Sequence, residues 1–375
     1  MLSEFGYEKF VRPRLFGFSS DPEEAHKRVM GYLQGVHRHP WALKALRLAL
    51  GSDSPNLAQT FWGMRFPNPV GLPGGMDKNG LVPNIWPAIG FGFFELGTVV
   101  AEEQMGNPRP RIFRLEQDKA LINRMGFNSD GADVVATRLN IHFWKGRLPL
   151  EPMFINIGKS KKTPLDKASR DYLYSFEKLY LYACGFVINV SSPNTPDLRQ
   201  LQDVDKLKEL LEALIAKNKK LANQYKANPK PLLVKIAPDL SRGAIDDVIN
   251  ICKELGIQGL IATNTTTERR GLKTSINEEG GLSGPSLFGK AHAIVRYIRQ
   301  RVDEDFVIIG VGGISGSEDA WRMLEAGANL VQVYTALVYQ GPFLPKMINQ
   351  GLRLKLREHG FKNISEVRAL WPRTL

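Results

Sequence analysis

The segment NPVGLPGGMDKNG, residues 68–80, decides between the two folds that this chain could adopt. It joins a short apolar run, predicted to be a strand, to a glycine-rich turn. An open, doubly wound sheet usually carries the fingerprint GxGxxG after its first strand, with an acidic residue about 20 positions later. The turn GGMDKNG has a different pattern, and it therefore favours a closed barrel over an open dinucleotide-binding sheet.

The rest of the chain repeats this alternation of strand and helix. Short β-rich apolar runs predict strands at 68–74, 91–100, 153–158, 185–191, 232–237, 259–264, 306–311 and 330–335. Helical periodicity lies between them, for example over 205–225 and 286–302, and a last helix is predicted over 346–359. Eight such alternations in roughly 300 residues predict a (β/α)8 TIM barrel.

Residues 1–52 differ from the rest and predict a small N-terminal helical domain in front of a barrel domain over 53–375. The letters DPEE at 21–24 place a capping Asp and a first-turn Pro before a helix that we expect to end at Gly35. A second helix is predicted over 41–50. No run approaches the roughly 18 apolar residues of a spanning helix, so we expect the protein not to cross a membrane.

Apolar and basic side chains are mixed in this N-terminal segment. The apolar ones are Phe5, Phe10, Val11, Leu15, Phe16 and Phe18, beside Arg12 and Arg14. Such a unit suits the interface of a bilayer. The alternative is that these side chains pack onto the main domain, and the sequence leaves both interpretations open.

The composition is that of an ordinary folded protein. Its 375 residues are 43% hydrophobic and 23% charged, which allows a sizeable core. The net charge of +12 suits phosphate backbones, anionic membranes and acidic substrates alike. Apart from Lys159, Lys161 and Lys162 in a loop, no run of basic residues interleaved with aromatic residues lies on one element, so we expect no nucleic-acid partner. Neither Cys184 nor Cys252 has a partner at metal-ligand spacing, so no metal site is predicted.

Polar residues and two glycines lie at the carboxyl ends of the predicted strands, where TIM barrels carry their active sites. They are Lys78, Thr98, Asn156, Asn189, Ser192, Asn194, Lys235, Thr263, Asn264, Thr265, Gly312, Gly313, Tyr334 and Thr335. Amides offer a donor and an acceptor side by side, as the edge of a planar heterocycle requires, and a lysine neutralises negative charge. The pattern therefore predicts a ligand made of flat rings with carbonyl groups.

The segment GVGGISGSEDA, residues 310–320, follows the seventh predicted strand, where such barrels commonly bind phosphate. Gly312 and Gly313 allow close backbone approach, and Ser315 and Glu318 have the spacing of a capping box that would open the next helix. The alternative is an ordinary glycine-rich turn. Phosphate combined with a heterocycle suggests a mononucleotide cofactor, and FMN is the natural candidate in this fold.

Eleven motifs, in order over residues 68–337, resemble those of the class 2, quinone-dependent dihydroorotate dehydrogenases. They are NPVGLPGGMDKNG, ELGTVV, GNPRPRIFRL, INRMGFNSDG, FINIGKS, VINVSSPNTPDLR, LLVKIAPD, IATNTT, GGLSG, IIGVGGI and VQVYTAL. The resemblance implies oxidation of (S)-dihydroorotate to orotate in pyrimidine (UMP) biosynthesis. It also implies FMN as hydride acceptor and a membrane quinone as the final electron acceptor.

The resemblance also implies residue roles. Ser192 matches the catalytic base that removes the C5 proton of dihydroorotate. The implied substrate contacts are Lys78, Asn123, Arg124, Met125, Gly126, Phe127, Asn189, Asn194, Asn264 and Thr265. The implied FMN contacts are Gly74, Gly75, Met76, Asp77, Lys78, Thr98, Asn156, Asn189, Lys235, Thr263, Gly284, Gly313, Tyr334 and Thr335.

The class assignment depends on Ser192 and on the N-terminal helices. Class 1 relatives carry Cys at that position and lack the helices, which in class 2 guide quinone to the flavin. We therefore expect peripheral membrane association, on the cytoplasmic face of a bacterial inner membrane or, alternatively, on the mitochondrial inner membrane. The segment 197–203 beside Ser192 is expected to close over the substrate.

Two positions depart from the family pattern, and two other functions compete with it. Pro73 stands where the family usually has a small residue, and Ser129 where a second Asn is common. The alternatives are a flavin-dependent RNA-modifying enzyme on the same barrel, which generally uses Cys in the loop of Ser192, and a peripheral membrane scaffold without activity.

Overall fold

The computed structural model describes residues 6–17 and 21–373, and it contains a closed barrel preceded by helices. Within these residues a π-helical turn, Tyr7–Val11, leads into the first of twelve α-helices: α1 (Arg12–Gly17), α2 (Pro22–Arg38), α3 (Pro40–Leu50), α4 (Ile85–Ala88), α5 (Ala132–Trp144), α6 (Ala168–Leu179), α7 (Val204–Gln224), α8 (Arg242–Leu255), α9 (Phe288–Arg299), α10 (Ser317–Glu325), α11 (Thr335–Gln340) and α12 (Leu344–Glu358). The strands of the same residues are β1 (Gln59–Phe61), β2 (Met64–Phe66), β3 (Val70–Leu72), β4 (Phe93–Val99), β5 (Ile112–Leu115), β6 (Ala120–Asn123), β7 (Met153–Ile157), β8 (Gly185–Asn189), β9 (Leu232–Ile236), β10 (Gly259–Ala262), β11 (Gly281–Ser283), β12 (Val307–Val311) and β13 (Leu330–Gln332).

Eight parallel strands form the barrel, in the order β3, β4, β7, β8, β9, β10, β12 and β13, with β13 closing onto β3. Each coincides with one of the eight predicted strands, so the predicted (β/α)8 fold is confirmed. The strands are continuous apolar runs because helices cover their outer face while the barrel interior covers the other. The strands are shorter than predicted, since the polar residues at their carboxyl ends belong to the loops that follow.

A hairpin of β1 and β2 covers the amino-terminal end of the barrel. The Phe66 ring lies 5.6 Å from that of Phe93 and 6.3 Å from that of Phe154, centroid to centroid, inside a separate apolar cluster. The other end carries an antiparallel sheet of β5, β6 and β11 beside the loops after the strands. In the described part of the chain, the hairpin thus closes the amino-terminal end, and the loops and the sheet at the carboxyl end are available to bind a ligand.

Helix α2 begins as its sequence predicts. Asp21 Oδ1 accepts a hydrogen bond from the backbone N–H of Glu23 at 2.8 Å, and Pro22 occupies the first turn. The pair α2 and α3 precedes the hairpin, and no helix in the described residues is both long and apolar enough to cross a bilayer. Phe5 and Phe18 of the predicted apolar unit lie outside the described residues.

The predicted end of α2 at Gly35 is wrong, because the helix continues to Arg38. The helix ends at His39, whose φ of −109° and ψ of 106° are extended. Pro40, rather than a glycine, causes this, since the proline ring disfavours helical backbone at the residue before it. Pro40 then begins α3, and the second predicted helix is confirmed.

The predicted capping box at the start of α10 is also wrong. The helix begins at Ser317, and its N-cap Gly316 makes no side-chain cap. Asp319 Oδ2 instead accepts hydrogen bonds from Ser315 N–H at 2.9 Å and from Ser315 Oγ at 2.6 Å. Glu318 is turned away and pairs with Lys355 on α12 at 2.9 Å.

Candidate active site

A cavity of about 910 Å³ lies at the carboxyl end of the barrel and extends to the N-terminal helices. Most residues predicted for the site line it. These are Gly74, Gly75, Met76, Lys78, Thr98, Asn123, Met125, Gly126, Phe127, Asn189, Ser192, Asn194, Lys235, Thr263, Asn264, Thr265, Gly284, Gly313, Tyr334 and Thr335. The barrel brings them together because they lie at or just after the carboxyl ends of its strands, or in the sheet of β5, β6 and β11 and the loops beside it.

Three predicted residues lie outside the cavity wall. Asp77 is buried, and its carboxylate accepts hydrogen bonds from the backbone N–H groups of residues 81 and 82 at 2.8 and 2.9 Å, which shapes the turn after β3. Arg124 forms an ion pair with Glu278, with 2.5 Å between Nη1 and Oε2. Asn156 is fully buried and accepts a hydrogen bond from Thr98 Oγ1 at 2.6 Å, so it supports a lining residue.

A network of amides and hydroxyls fixes the orientation of the cavity floor. Asn189 Nδ2 donates to Thr98 Oγ1 at 3.0 Å and to Asn156 Oδ1 at 3.1 Å. Asn189 Oδ1 accepts from Ser191 Oγ at 3.1 Å, and Ser191 Oγ in turn accepts from Asn264 Nδ2 at 3.0 Å. Because the network joins the ends of β4, β7, β8 and β10, it holds these side chains in one arrangement.

Sequence reasoning missed two buried residues at this floor: Glu95, which lies behind the cavity wall, and Gln332, which is part of that wall. Lys235 Nζ lies 3.2 Å from Glu95 Oε1, and both side chains are almost completely buried. Gln332 Nε2 donates to the same oxygen at 2.7 Å, and Asn156 Nδ2 donates to Glu95 Oε2 at 2.7 Å. The sequence did contain an indication of Glu95, because this charged residue lies inside the apolar strand FFELGTV. A charged side chain that is buried in this way needs a partner.

Ser192 lies in the loop after β8 and is 5% exposed. Its Oγ accepts a hydrogen bond from the backbone N–H of Asn194 at 3.3 Å. Asn194 Nδ2 donates to Asn123 Oδ1 at 3.2 Å, which connects this loop to β6. Thr195 Oγ1 is buried and has no hydrogen-bond partner among the described residues. The loop therefore offers two neighbouring hydroxyls in a region shielded from bulk water.

Lys78 and His26 face each other from the barrel and α2, respectively. Burial lowers the pKa of Lys78 to about 8, while Glu23 acts in the opposite direction. Burial, followed by the charge of Lys78, lowers the pKa of His26 to about 3. The cavity reaches part of the His26 ring, yet the ring is neutral at physiological pH. Lys78 therefore provides the positive charge here.

Gly312 and Gly313, which are predicted to approach a phosphate, border the cavity together with Gly284, an implied FMN contact. Gly284 and Gly313 have φ values of 126° and 71°, where a side chain would be strained. A Cβ at Gly313 would lie 2.5 Å from the backbone nitrogen of Phe288, at the start of α9. Thr335 Oγ1 donates to Ser283 Oγ at 2.8 Å, which places the start of α11 beside Gly284.

The N-terminal helices contribute mainly apolar walls to the other end of the cavity. Those walls include Val11, Leu15, Phe16, Ala25, Val29, Met30, Leu33 and Leu46. Tyr7 donates to the carbonyl of Val338 at 3.1 Å, and the Arg114 guanidinium lies 4.4 Å from the centre of the Phe16 ring. Other apolar side chains of this segment face outward, since Trp41 is 73% and Leu48 78% exposed.

Comparison with known proteins finds a matching family model, similar relatives and similar solved structures. The family model described as dihydroorotate dehydrogenase matches residues 56–356. The dihydroorotate dehydrogenase (quinone) of Gloeobacter violaceus is 46% identical over 358 residues, which cover 96% of this chain and 97% of that relative. The protein of the same name from Chloroflexus aurantiacus is 48% identical over 355 residues, covering 92% of this chain and 96% of that relative. A crystal structure of DHODH from Eimeria tenella in complex with ferulenol matches with a TM-score of 0.84 at 36% identity, over 94% of this chain and 97% of that one.

Proposed function

This chain belongs to the dihydroorotate dehydrogenase family, and from that premise we propose how its own residues carry out the reaction. The reaction is the oxidation of dihydroorotate to orotate in pyrimidine biosynthesis, with a quinone as electron acceptor. The observation that carries the proposal is the convergence of Ser192, two lysines and the amide network on one cavity.

The family is flavin-dependent, and we assign FMN as the flavin of this chain. Gly284 and Gly313 border the cavity, and glycine backbone N–H groups at such a position suit a phosphate group. Gln332 borders the cavity, and its Oε1 is buried with no hydrogen-bond partner among the described residues. Such an acceptor suits a ring N–H. The remaining proposed contacts are Gly74, Gly75, Met76, Lys78, Thr98, Asn189, Lys235, Thr263, Tyr334 and Thr335, whereas Asp77 and Asn156 lie behind the cavity wall and are proposed to support these contacts.

Ser192 is assigned as the base that removes the C5 proton of dihydroorotate. A serine hydroxyl is a weak base, so exclusion of water and a relay for its proton must assist it. Burial of Ser192 supports the first requirement. We assign the unpartnered hydroxyl of Thr195 to the relay, through an ordered water.

The hydride and the charge of the reaction are accommodated at the cavity floor. Bound FMN would supply the two-electron acceptor for the hydride that leaves C6. Lys235 is held by Glu95 at 3.2 Å, and an ammonium group at this place favours the added negative charge of reduction.

The substrate is held by charge and by amides. Lys78 remains largely protonated below its pKa of about 8 and pairs with the carboxylate of dihydroorotate. Asn189, Asn123, Asn194, Asn264 and Thr265 are proposed to bind the polar groups of the ring, since amides and hydroxyls both donate and accept hydrogen bonds. Met125, Gly126 and Phe127 are proposed to pack against the substrate, whereas Arg124 lies outside the cavity wall, where it pairs with Glu278.

The N-terminal helices are assigned to quinone access. Their apolar cavity walls continue to the barrel mouth, so a quinone could reach the flavin without crossing water. The exposed Trp41 and Leu48 suit the interface of a membrane. We therefore propose a quinone-access domain over 1–52, a catalytic barrel over 53–375, and peripheral attachment to the cytoplasmic face of a bacterial inner membrane.

An absorbance spectrum of the purified protein, before and after anaerobic addition of dihydroorotate, tests this function. We expect a flavin spectrum that bleaches with dihydroorotate and returns with a quinone. An oxidised flavin that stays unbleached at saturating dihydroorotate would contradict the proposed reaction.

A further inference from the structure

Asp239 occupies a junction between three loops of the barrel that carry the proposed site. It follows β9, and its side chain is 16% exposed. Its Oδ1 accepts hydrogen bonds from Thr266 Oγ1 at 2.5 Å and from Lys290 Nζ at 2.8 Å. Its Oδ2 accepts from the backbone N–H of Thr267 at 3.1 Å and from Arg199 at 3.0 Å. One carboxylate thus joins the loops after β8, β9 and β10.

Arg199 carries this connection directly to the site. Its Nε donates to the carbonyl oxygen of Ser191 at 3.2 Å, which belongs to the peptide bond preceding Ser192. Its Nη2 donates to the carbonyl oxygen of Thr265 at 3.2 Å. The planar guanidinium therefore contacts three groups at once: the carbonyl beside the proposed base, the carbonyl of Thr265 in the proposed substrate loop, and the carboxylate of Asp239.

A second hydrogen bond connects the loop after β8 to the loop after β9. Gln202 is 4% exposed, and its Oε1 accepts a hydrogen bond from the backbone N–H of Ala237 at 3.0 Å. Arg199 and Gln202 lie in one short helical segment, Leu198–Gln202. The loop after β8 is thus fixed at two points to the loop after β9, as a closed active-site loop requires.

The carboxylate of Asp239 stays charged over the physiological range. Burial alone would raise its pKa, but hydrogen bonds from Lys290 and the two threonines lower it to about 2. Asp239, Arg199 and Lys290 are outside the wall of the large cavity, so the junction acts on the site only through the backbone.

We propose that Asp239 is a positioning residue for dihydroorotate oxidation, which uses Arg199 to hold the backbone beside Ser192 at a fixed separation from Thr265. The proposal rests on the function proposed above. A base and a substrate contact lie on different loops, and a shift of about 1 Å between such groups can lower a rate about 100-fold. The junction leaves the quinone end of the cavity untouched.

The test measures the two half-reactions of the holoenzyme separately in stopped-flow experiments. In Asp239→Asn and Arg199→Ala, we expect flavin reduction at saturating dihydroorotate to slow by about 10- to 100-fold. Reoxidation of the reduced flavin by a quinone should change by less than about twofold, and Arg199→Lys should recover part of the reduction rate. A merely structural role would lower both half-reactions through loss of folded holoenzyme.

Asp246→Asn is the matched control. Asp246 on α8 accepts a hydrogen bond from Tyr297 at 2.8 Å and pairs with Arg301 at 2.9 Å, away from the site. It should leave both half-reactions unchanged. Normal reduction in Asp239→Asn and Arg199→Ala, or an equal loss in both half-reactions, would overturn the positioning role alone. A wild-type flavin that dihydroorotate does not bleach would instead overturn the proposed function itself.

Discussion

The hydroxyl of Ser192 is the proposed base, and its removal gives a direct prediction. Ser192→Ala should retain bound flavin, because the side chain belongs to the substrate end of the site. Reduction of the flavin by dihydroorotate should slow by about 100- to 10,000-fold, the usual contribution of a general base. Rapid-mixing absorbance at saturating dihydroorotate measures this rate.

Ser175→Ala provides the control for that substitution. Ser175 is fully buried in α6, and its Oγ has no hydrogen-bond partner among the described residues. Loss of its hydroxyl should therefore leave the reduction rate unchanged. Near-normal reduction in Ser192→Ala would remove Ser192 from its role.

A second prediction concerns the buried ion pair of Glu95 and Lys235. Glu95→Gln keeps the shape of the side chain but leaves the ammonium of Lys235 without a counter-charge in the barrel interior. Breaking a buried pair in this way costs about 3 to 5 kcal/mol, so the free energy of unfolding should fall by an amount of that order. Urea denaturation of the wild-type and variant proteins measures it. An unchanged midpoint would show that Lys235 finds another partner.

Single residues could be predicted from the sequence where their position in a strand defined their environment. Asn189 and Thr263 follow apolar runs, and a barrel brings such positions to one mouth. Glu95 and Asp239 could not be assigned in this way, because their partners are distant in sequence. Only the closed barrel brings Lys235 to Glu95 and Arg199 to Asp239.

At the scale of helices and strands, α2 is attached to the barrel by a buried ion pair. Arg111 donates from Nε to Glu23 Oε2 at 2.7 Å, and its side chain is 5% exposed. This hydrogen bond is the main reason that the pKa of Glu23 is lowered. The neighbouring Glu24 forms a more exposed pair with Arg109 at 2.7 Å. The two acidic residues of one helical turn thus differ in burial.

Glu23→Gln should therefore loosen α2, whereas Glu24→Gln should have little effect. Removing the charge beside buried Arg111 should cost about 1 to 2 kcal/mol, which corresponds to roughly 5- to 30-fold faster hydrogen exchange in α2. Exchange measured by mass spectrometry over 22–38 tests this, with barrel strands as an internal reference. Equal rates of hydrogen exchange in α2 of the two variants would contradict the conclusion that Glu23 stabilises this helix more than Glu24 does.

The bounds of elements were predictable only where one local signal decided them. Asp21 and Pro22 predicted the start of α2, because capping depends on neighbours in sequence. The predicted end of α2 was wrong because Gly35 was taken as the end of the helix. A helix interior can accommodate a glycine, and Pro40 is the stronger indication of a helix end. The capping box at Ser315 failed since Asp319 competed for the same N–H group.

At the scale of the whole molecule, the N-terminal helices and the barrel line one cavity, and charged groups of each shift the pKa values of the other. Neither part alone encloses it, because the walls come from both. The sequence predicted the barrel and the helices separately. The contact between α2 and Lys78 depends on how they pack, which no local pattern specifies.

That packing predicts the pH dependence of stability. Burial lowers the pKa of His26 from 6.5 to about 3 and that of His37, which also faces His142, to about 4. Below pH 6.5 the histidines therefore bind protons in the unfolded chain but not in the folded chain. The free energy of unfolding should decrease as the pH is lowered from about 6.5 towards about 4. The slope per histidine can approach about 1.4 kcal/mol per pH unit, and half-buried His37 contributes less than His26.

Urea denaturation at pH 7, 6 and 5 measures this slope. His26→Gln should flatten it, because glutamine takes up no proton in either state. His39→Gln, which changes an exposed ring at the end of the same helix, should preserve the wild-type slope. If stability stays constant from pH 7 to 5 in the wild type, His26 must be able to accept a proton in the folded state. The ring would then be hydrated, and the closed packing of α2 against Lys78 would have to open in solution.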